Sequence, residues 1–158
     1  MMRLIVAVDS TLGMATDSGI PWTLPAEQQY FTSQIAEGLI LMGFNTYDEV
    51  TEPLHDRTNY VATRRDVQLR SGFIAVRDAL VFAQEHSGET IQNIGGAGLF
   101  SATLHAADEL IITRVDGDFN CTKFFPPFED EFTLAAESDA QHENGIAFTF
   151  QTWHPRRG

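Results

Sequence analysis

Glu27 and Phe31 stand four residues apart behind a proline, in the stretch Ile20-Pro21-Trp22-Thr23-Leu24-Pro25-Ala26-Glu27-Gln28-Gln29-Tyr30-Phe31. Proline suits the first turn of a helix, where its missing N–H would have no partner. A helix beginning at Pro25 places Glu27, Phe31 and Ile35 on one face, one turn apart. A carboxylate on an apolar stripe must find hydrogen-bond donors or take up a proton. In that setting its two oxygens can hold a flat, amidine-like heterocycle. A plainer explanation competes: an acidic side chain in the first turn of any helix is favoured by about 0.3–1 kcal/mol. Such a residue ordinarily points to water, whereas Glu27 lies along the stripe.

Two further stretches could hold phosphate. Ile94-Gly95-Gly96-Ala97-Gly98-Leu99-Phe100 falls between a predicted strand and a predicted helix. Glycines there let the backbone approach an anion, and the first amides of a helix attract one. The dinucleotide fingerprint is absent, since the third glycine position reads Ser101, and no Lys-Ser or Lys-Thr follows to make a P-loop. Tight strand-to-helix packing accounts for such glycines equally well. Thr63-Arg64-Arg65 sets two guanidinium groups side by side at a strand end, able to grip a phosphate through paired hydrogen bonds or simply to be solvated.

Other chemistries find little support. Cys121 is the single cysteine and has no recognisable partner in the sequence, which removes disulfide frameworks and cysteine zinc clusters. The five histidines are scattered without metal spacing, so no metal is expected, and no Gly-x-Ser-x-Gly elbow is present. With 22 acidic against 10 basic residues the net charge is −12, which argues against nucleic acid or anionic membrane as a partner. Only one of the basic residues, Lys123, is a lysine; this acidic surface suits either a saline habitat or plain solubility. The N-terminal apolar run is too short for a signal peptide, and none approaches the ~20 residues of a membrane helix. A cytoplasmic protein is expected.

The elements that must position these residues alternate. Strands are predicted at Leu4–Val8, Leu39–Met42, Asn59–Ala62, Phe73–Val76 and Thr90–Ile94, and helices at Pro25–Glu37, around Thr46–Val50, from Asp78 to about His86, and at Gly98–His105. Strands alternating with helices imply parallel pairs joined by crossovers. Glu109–Val115, Phe132–Glu137 and Ile146–Trp153 close the chain as strands with no helix between them, implying antiparallel strands at one edge, and Asn144-Gly145 marks a hairpin turn. The expected fold is α/β: a mixed, mostly parallel eight-stranded sheet with antiparallel C-terminal strands and about four helices on both faces. The 158 residues form a single domain in this reading.

The order of these motifs carries more than any one of them. Leu12-Gly13, Pro21-Trp22-x-Leu24-Pro25-Ala26-Glu27-x-x-x-Phe31, Met42-Gly43-x-x-Thr46-Tyr47, Pro53-Leu54-x-x-Arg57-x-Asn59, Ile94-Gly95-Gly96, Leu110-Ile111-Ile112-Thr113 and Phe125-Pro126, after an N-terminal apolar strand, resemble the dihydrofolate reductase family. The match spans residues 2 to about 153. The resemblance implies reduction of 7,8-dihydrofolate to tetrahydrofolate with NADPH, and binding of antifolates such as methotrexate. It implies that Glu27 binds the pyrimidine edge of the pteridine and promotes protonation at N5. Thr113 would hydrogen-bond to that carboxylate, and Trp22 would help to hold an ordered water nearby. Ile5, Ala7, Phe31, Val50, Leu54 and Ile94 would wall the substrate, and Arg57 would pair with its α-carboxylate. Cofactor contacts would come from Ala7, Leu12, Gly13 and Ile20; from Gly43, Phe44, Asn45 and Thr46; from Ala62, Thr63, Arg64 and Arg65; and from Ile94, Gly95, Gly96, Ala97, Gly98, Leu99 and Phe100. The Gly95–Gly96 bond would be cis, and residues 12–22 would form the loop that closes over the nicotinamide.

Phe44 and Asn45 occupy positions where the family often carries basic residues against the cofactor phosphates, so Thr63, Arg64 and Arg65 are expected to supply that charge, favouring NADPH over NADH. The loop from Gly13 to Pro21 is also longer than in common bacterial members. Two alternatives remain at this point: another nicotinamide-dependent reductase on the same fold, of the riboflavin-biosynthesis type, and a non-catalytic nucleotide- or folate-binding protein.

Overall fold

A computed structural model describes residues 1–156. The chain runs β1 (Met2–Val8), β2 (Gly13–Ala15), α1 (Pro25–Gln34), β3 (Leu39–Gly43), α2 (Phe44–Glu49), β4 (Asn59–Ala62) and β5 (Phe73–Val76). It continues with α3 (Ala79–Glu85), β6 (Ile91–Asn93), α4 (Ala97–Thr103), β7 (Glu109–Val115), β8 (Lys123–Phe124), β9 (Phe132–Glu137), β10 (Gln141–Glu143) and β11 (Ile146–Pro155).

The main sheet is ordered β10-β11-β7-β1-β6-β3-β4-β5. From β7 to β5 every neighbour is parallel, because each connection crosses over through a helix or a long loop. Only β11 and its outer partners run antiparallel. Those partners, β10 and β9, take successive stretches of β11, pairing with residues 146–148 and 151–155, so the two short strands share one edge position. The sheet therefore has the expected eight positions. The final hairpin turns at Asn144 and Gly145, with φ of 51° and 75°, the left-handed pair a tight two-residue turn requires.

Side chains alternate across the sheet and divide the core. Ile40 and Met42 of β3 face a layer with Phe31 of α1, Tyr47 of α2 and Ile35 just past the end of α1. Leu41 faces the opposite layer, where Phe82 of α3 and Phe100 of α4 lie. Asp78 caps α3 by accepting the N–H groups of Leu80 and Val81. Helix α1 ends at Gln34, earlier than the predicted Glu37. The Arg57 guanidinium donates to the carbonyls of Ile35 (2.7 Å) and Ala36 (2.8 Å), which terminates the helix there. The small sheet of β2 and β8 pairs Gly13 with Phe124 and Ala15 with Lys123; neither strand is predicted from the sequence.

Candidate active site

The carboxyl ends of β1, β3, β4 and β6 open into one cleft of about 810 Å³, roofed by α1 and α2 and closed below by the start of α4. Open parallel sheets bind ligands at this end of their strands, where the chains diverge into different helices. Ile5, Phe31, Val50, Leu54 and Ile94 pack together into one apolar half of the cleft, and Ala7 also lines the cleft. Glu27 enters that half from the first turn of α1. Burial pushes its carboxyl up to about 7, as apolar surroundings disfavour the anion. The other half is lined by Gly43, Phe44, Asn45 and Thr46 at the start of α2, by Ala62, and by Gly96, Ala97, Gly98, Leu99 and Phe100 at the start of α4. Ile20 reaches the cleft from the long loop, and its side chain is otherwise in solvent.

The two helix starts are joined by a hydrogen bond from the Gly43 N–H to the Gly95 carbonyl, 2.7 Å. Gly95 is buried, has φ +82°, and sits where a Cβ would run into the Phe100 ring. The Gly95–Gly96 peptide is cis. No side chain caps α4, and its first residues Ala97, Gly98 and Leu99 line the cleft.

Several expected residues stand behind the lining rather than in it. Trp22 is buried with Leu24, Val115 and Phe148, edge-on to Phe119 at 5.3 Å, and its Nε1–H has no protein acceptor. Thr113 is buried in β7 beside Ala7, and among the described residues none donates a hydrogen bond to the Glu27 carboxyl. Arg57 spends both terminal nitrogens on the end of α1, leaving its buried Nε unpartnered. Arg65 stacks its guanidinium 4.4 Å over the ring of Phe44, which ties it to the cleft rim. Its N–H donates to the buried Thr63 hydroxyl, and the Arg64 carbonyl accepts from Arg77.

Leu12 and Gly13 also lie outside the lining, held by Asp9. Asp9 is fully buried, and its Oδ1 accepts the N–H groups of Thr11 and Gly13 at 2.8 Å, while its Oδ2 accepts that of Phe119 at 3.0 Å. Burial pushes this carboxyl up, but the donors outweigh it and hold it below its usual range. The Cys121 thiol does have a partner, donating to Asp9 Oδ2 at 3.7 Å. Burial and the Asp9 charge raise its pKa, which is the reverse of an activated nucleophile.

Sequence reasoning missed Val6, Met14, Ala15, Gln28, Thr32, Glu49 and Lys123, all of which line the cleft. Gln28 and Thr32 follow Glu27 and Phe31 at the same helical spacing, so the periodicity contains them. Met14, Ala15 and Lys123 arrive only through the β2–β8 pairing, which no local pattern announces.

A family model described as dihydrofolate reductase matches residues 1–155. The dihydrofolate reductase of Drosophila melanogaster is 30% identical over 172 residues, covering 94% of this chain and 94% of the fly enzyme. Segregation and condensation protein A of Mycoplasma pneumoniae is 28% identical over 159 residues; the match covers 99% of this chain, which spans only 30% of the length of that relative. Among solved structures, dihydrofolate reductase from Enterococcus faecalis complexed with NADP(H) and RAB-propyl superposes with a TM-score of 0.86 at 21% identity, covering 99% of this chain and 97% of that one. A carboxylate sunk in an apolar half-cleft, a glycine-lined second half and a whole-chain family match converge: the chain belongs to the dihydrofolate reductase family.

Proposed function

We propose that Glu27 is the residue that holds and polarises the substrate in the reaction of this family, the NADPH-dependent reduction of 7,8-dihydrofolate to tetrahydrofolate. The observation that carries this assignment is a desolvated carboxyl in the apolar half of the cleft, one helical turn before Phe31. A buried acid without protein donors gains most from a ligand that brings its own, and the pyrimidine edge of a pteridine offers two N–H groups side by side. Ile5, Phe31, Val50, Leu54 and Ile94 then flank the flat ring and exclude water. While it grips that edge, Glu27 cannot reach N5 on the far side of the ring. Its role is to raise the proton affinity of the bound pteridine, with a water delivering the proton. Trp22, whose Nε1–H lacks a protein acceptor, is the donor we assign to that water, and the buried Thr113 hydroxyl supports the carboxylate once substrate is bound.

The donor set of the second half fits a dinucleotide: uncapped amides at the start of α4, Thr46, and the Arg65 guanidinium stacked at the rim beside Arg64. Arg64 and Arg65 are proposed to face a 2′-phosphate, making up for Phe44 and Asn45, and Arg57 to pair with the substrate's α-carboxylate alongside its helix contacts. NADPH supplies the hydride; the chain supplies orientation and exclusion of water. Binding of antifolates and a cytoplasmic setting belong to the same proposal, the latter supported by the single Cys121, whose thiol is free of any disulfide.

Substitution of Glu27→Gln is expected to lower turnover by orders of magnitude while NADPH affinity is retained, measured from NADPH oxidation with dihydrofolate at 340 nm and from NADPH binding by fluorescence. Turnover that survived this substitution would remove Glu27 from the role.

A further inference from the structure

We propose that Glu143, at the tip of the β10–β11 hairpin, is a positioning residue for Glu27: its carboxylate caps the first turn of α1 and fixes where the Glu27 side chain enters the cleft. Glu143 Oε1 accepts the Ala26 N–H at 2.9 Å, across a separation of 117 residues. Ala26 immediately precedes Glu27, so this bond anchors the backbone from which the carboxyl is hung.

Helix α1 needs such an anchor. Its N-cap residue is Leu24, which brings no side-chain oxygen, and Pro25 at the next position has no N–H. The N–H groups of a first helical turn have no partner within the helix, and here the cap is supplied from elsewhere in the chain. None of the residues of α1 is fully buried. Phe31 packs on the core and Tyr30 stacks on Phe150 at 4.0 Å between the helix ends, and polar ties hold the ends themselves. At the far end Arg57 holds the carbonyls of Ile35 and Ala36, and Arg3 donates to the Gln34 carbonyl at 3.0 Å. At the near end stands Glu143. A carboxylate at a helix start forms a charge-assisted bond and complements the helix dipole, making it a stronger clamp than a neutral cap.

The hairpin tip is built to deliver that carboxylate. Glu143 pairs across the turn with Ile146, and the intervening Asn144 donates its Nδ2–H to the Thr23 carbonyl at 2.8 Å. The two contacts grip the chain on either side of the buried Leu24. Strand β11, which continues from the turn, pairs with β7, so the clamp refers the start of α1 to the sheet.

The inference rests on Glu27 being the substrate carboxylate, and the test separates the two. Steady-state reduction is measured at varied dihydrofolate and varied NADPH for the wild type, E27Q, E143A and E143Q. E143A is expected to raise the dihydrofolate KM about tenfold, the equivalent of one lost helix cap, and to leave the NADPH KM unchanged. E143Q keeps an oxygen acceptor and is expected to restore most of the loss. The proposal is overturned if E143A leaves the dihydrofolate KM unchanged. It is also overturned if E143A fails to fold or raises both KM values alike, which would make Glu143 a general structural residue, or if E143Q is as impaired as E143A. Undiminished turnover in E27Q would instead overturn the role of Glu27 itself.

Discussion

A carboxyl that loses water and gains no partner becomes a weak acid, and for Glu27 that means an ordinary value of 4.5 raised to about 7. Between those two values the folded chain keeps a proton that the unfolded chain has released. Stability therefore falls as pH rises from about 4.5 to about 7 and stays lowered above it. The E27Q variant never has to bury an anion. Its thermal midpoint is expected to exceed that of the wild type at pH 8 and to converge with it at pH 5, measured by calorimetry without ligands. The same gap at both pH values would show that ionisation is not the cause. This residue was legible in the sequence because helical spacing alone puts Glu27 and Phe31 on one face. The environments of Trp22 and Arg57 were not. The isolation of the indole N–H and the capture of the guanidinium by the end of α1 depend on segments that only the folded chain brings together.

Between β6 and α4 the chain turns in a space that tolerates no side chain at Gly95. A methyl group there meets the Phe100 ring and forces a residue with a Cβ into a positive φ. G95A is expected to lower the urea midpoint, by the equivalent of about 1–3 kcal/mol, and to weaken NADPH binding. Gly98, three residues on and inside the helix, has open space around it, so G98A is expected to be no less stable than the wild type. Equal losses in the two variants would refute this distinction. Most elements of the fold could be read in advance: β4, β5, β7 and β9 fall at their predicted bounds, being apolar or alternating runs between turns. Strands β2, β8 and β10 could not. Two or three residues make no period: β2 and β8 exist as strands only because distant segments pair, and β10 only as the short arm folded back on β11 across the Asn144-Gly145 turn.

Across the molecule, 22 acidic side chains face only 10 basic ones, and several of those are already engaged, as Arg3 is with Glu109 and Arg114 with Glu129. The remaining negative charge repels itself across a small surface, and salt screens that repulsion over about 10 Å at 0.1 M. The thermal midpoint is expected to rise steadily from about 0.05 to about 0.5 M sodium chloride, an ionic range in which the Debye length shrinks severalfold. A midpoint that fell with salt would mean that attractive pairs outweigh the excess. The same composition leaves a single lysine, Lys123, exposed on β8 at the mouth of the cleft. With the α-amine of Met1 blocked, an amine-reactive dye meets one side chain of its kind in the whole sequence, and that side chain lines the cleft. The protein carries its own attachment point for an optical probe that would report each arrival and departure of a ligand.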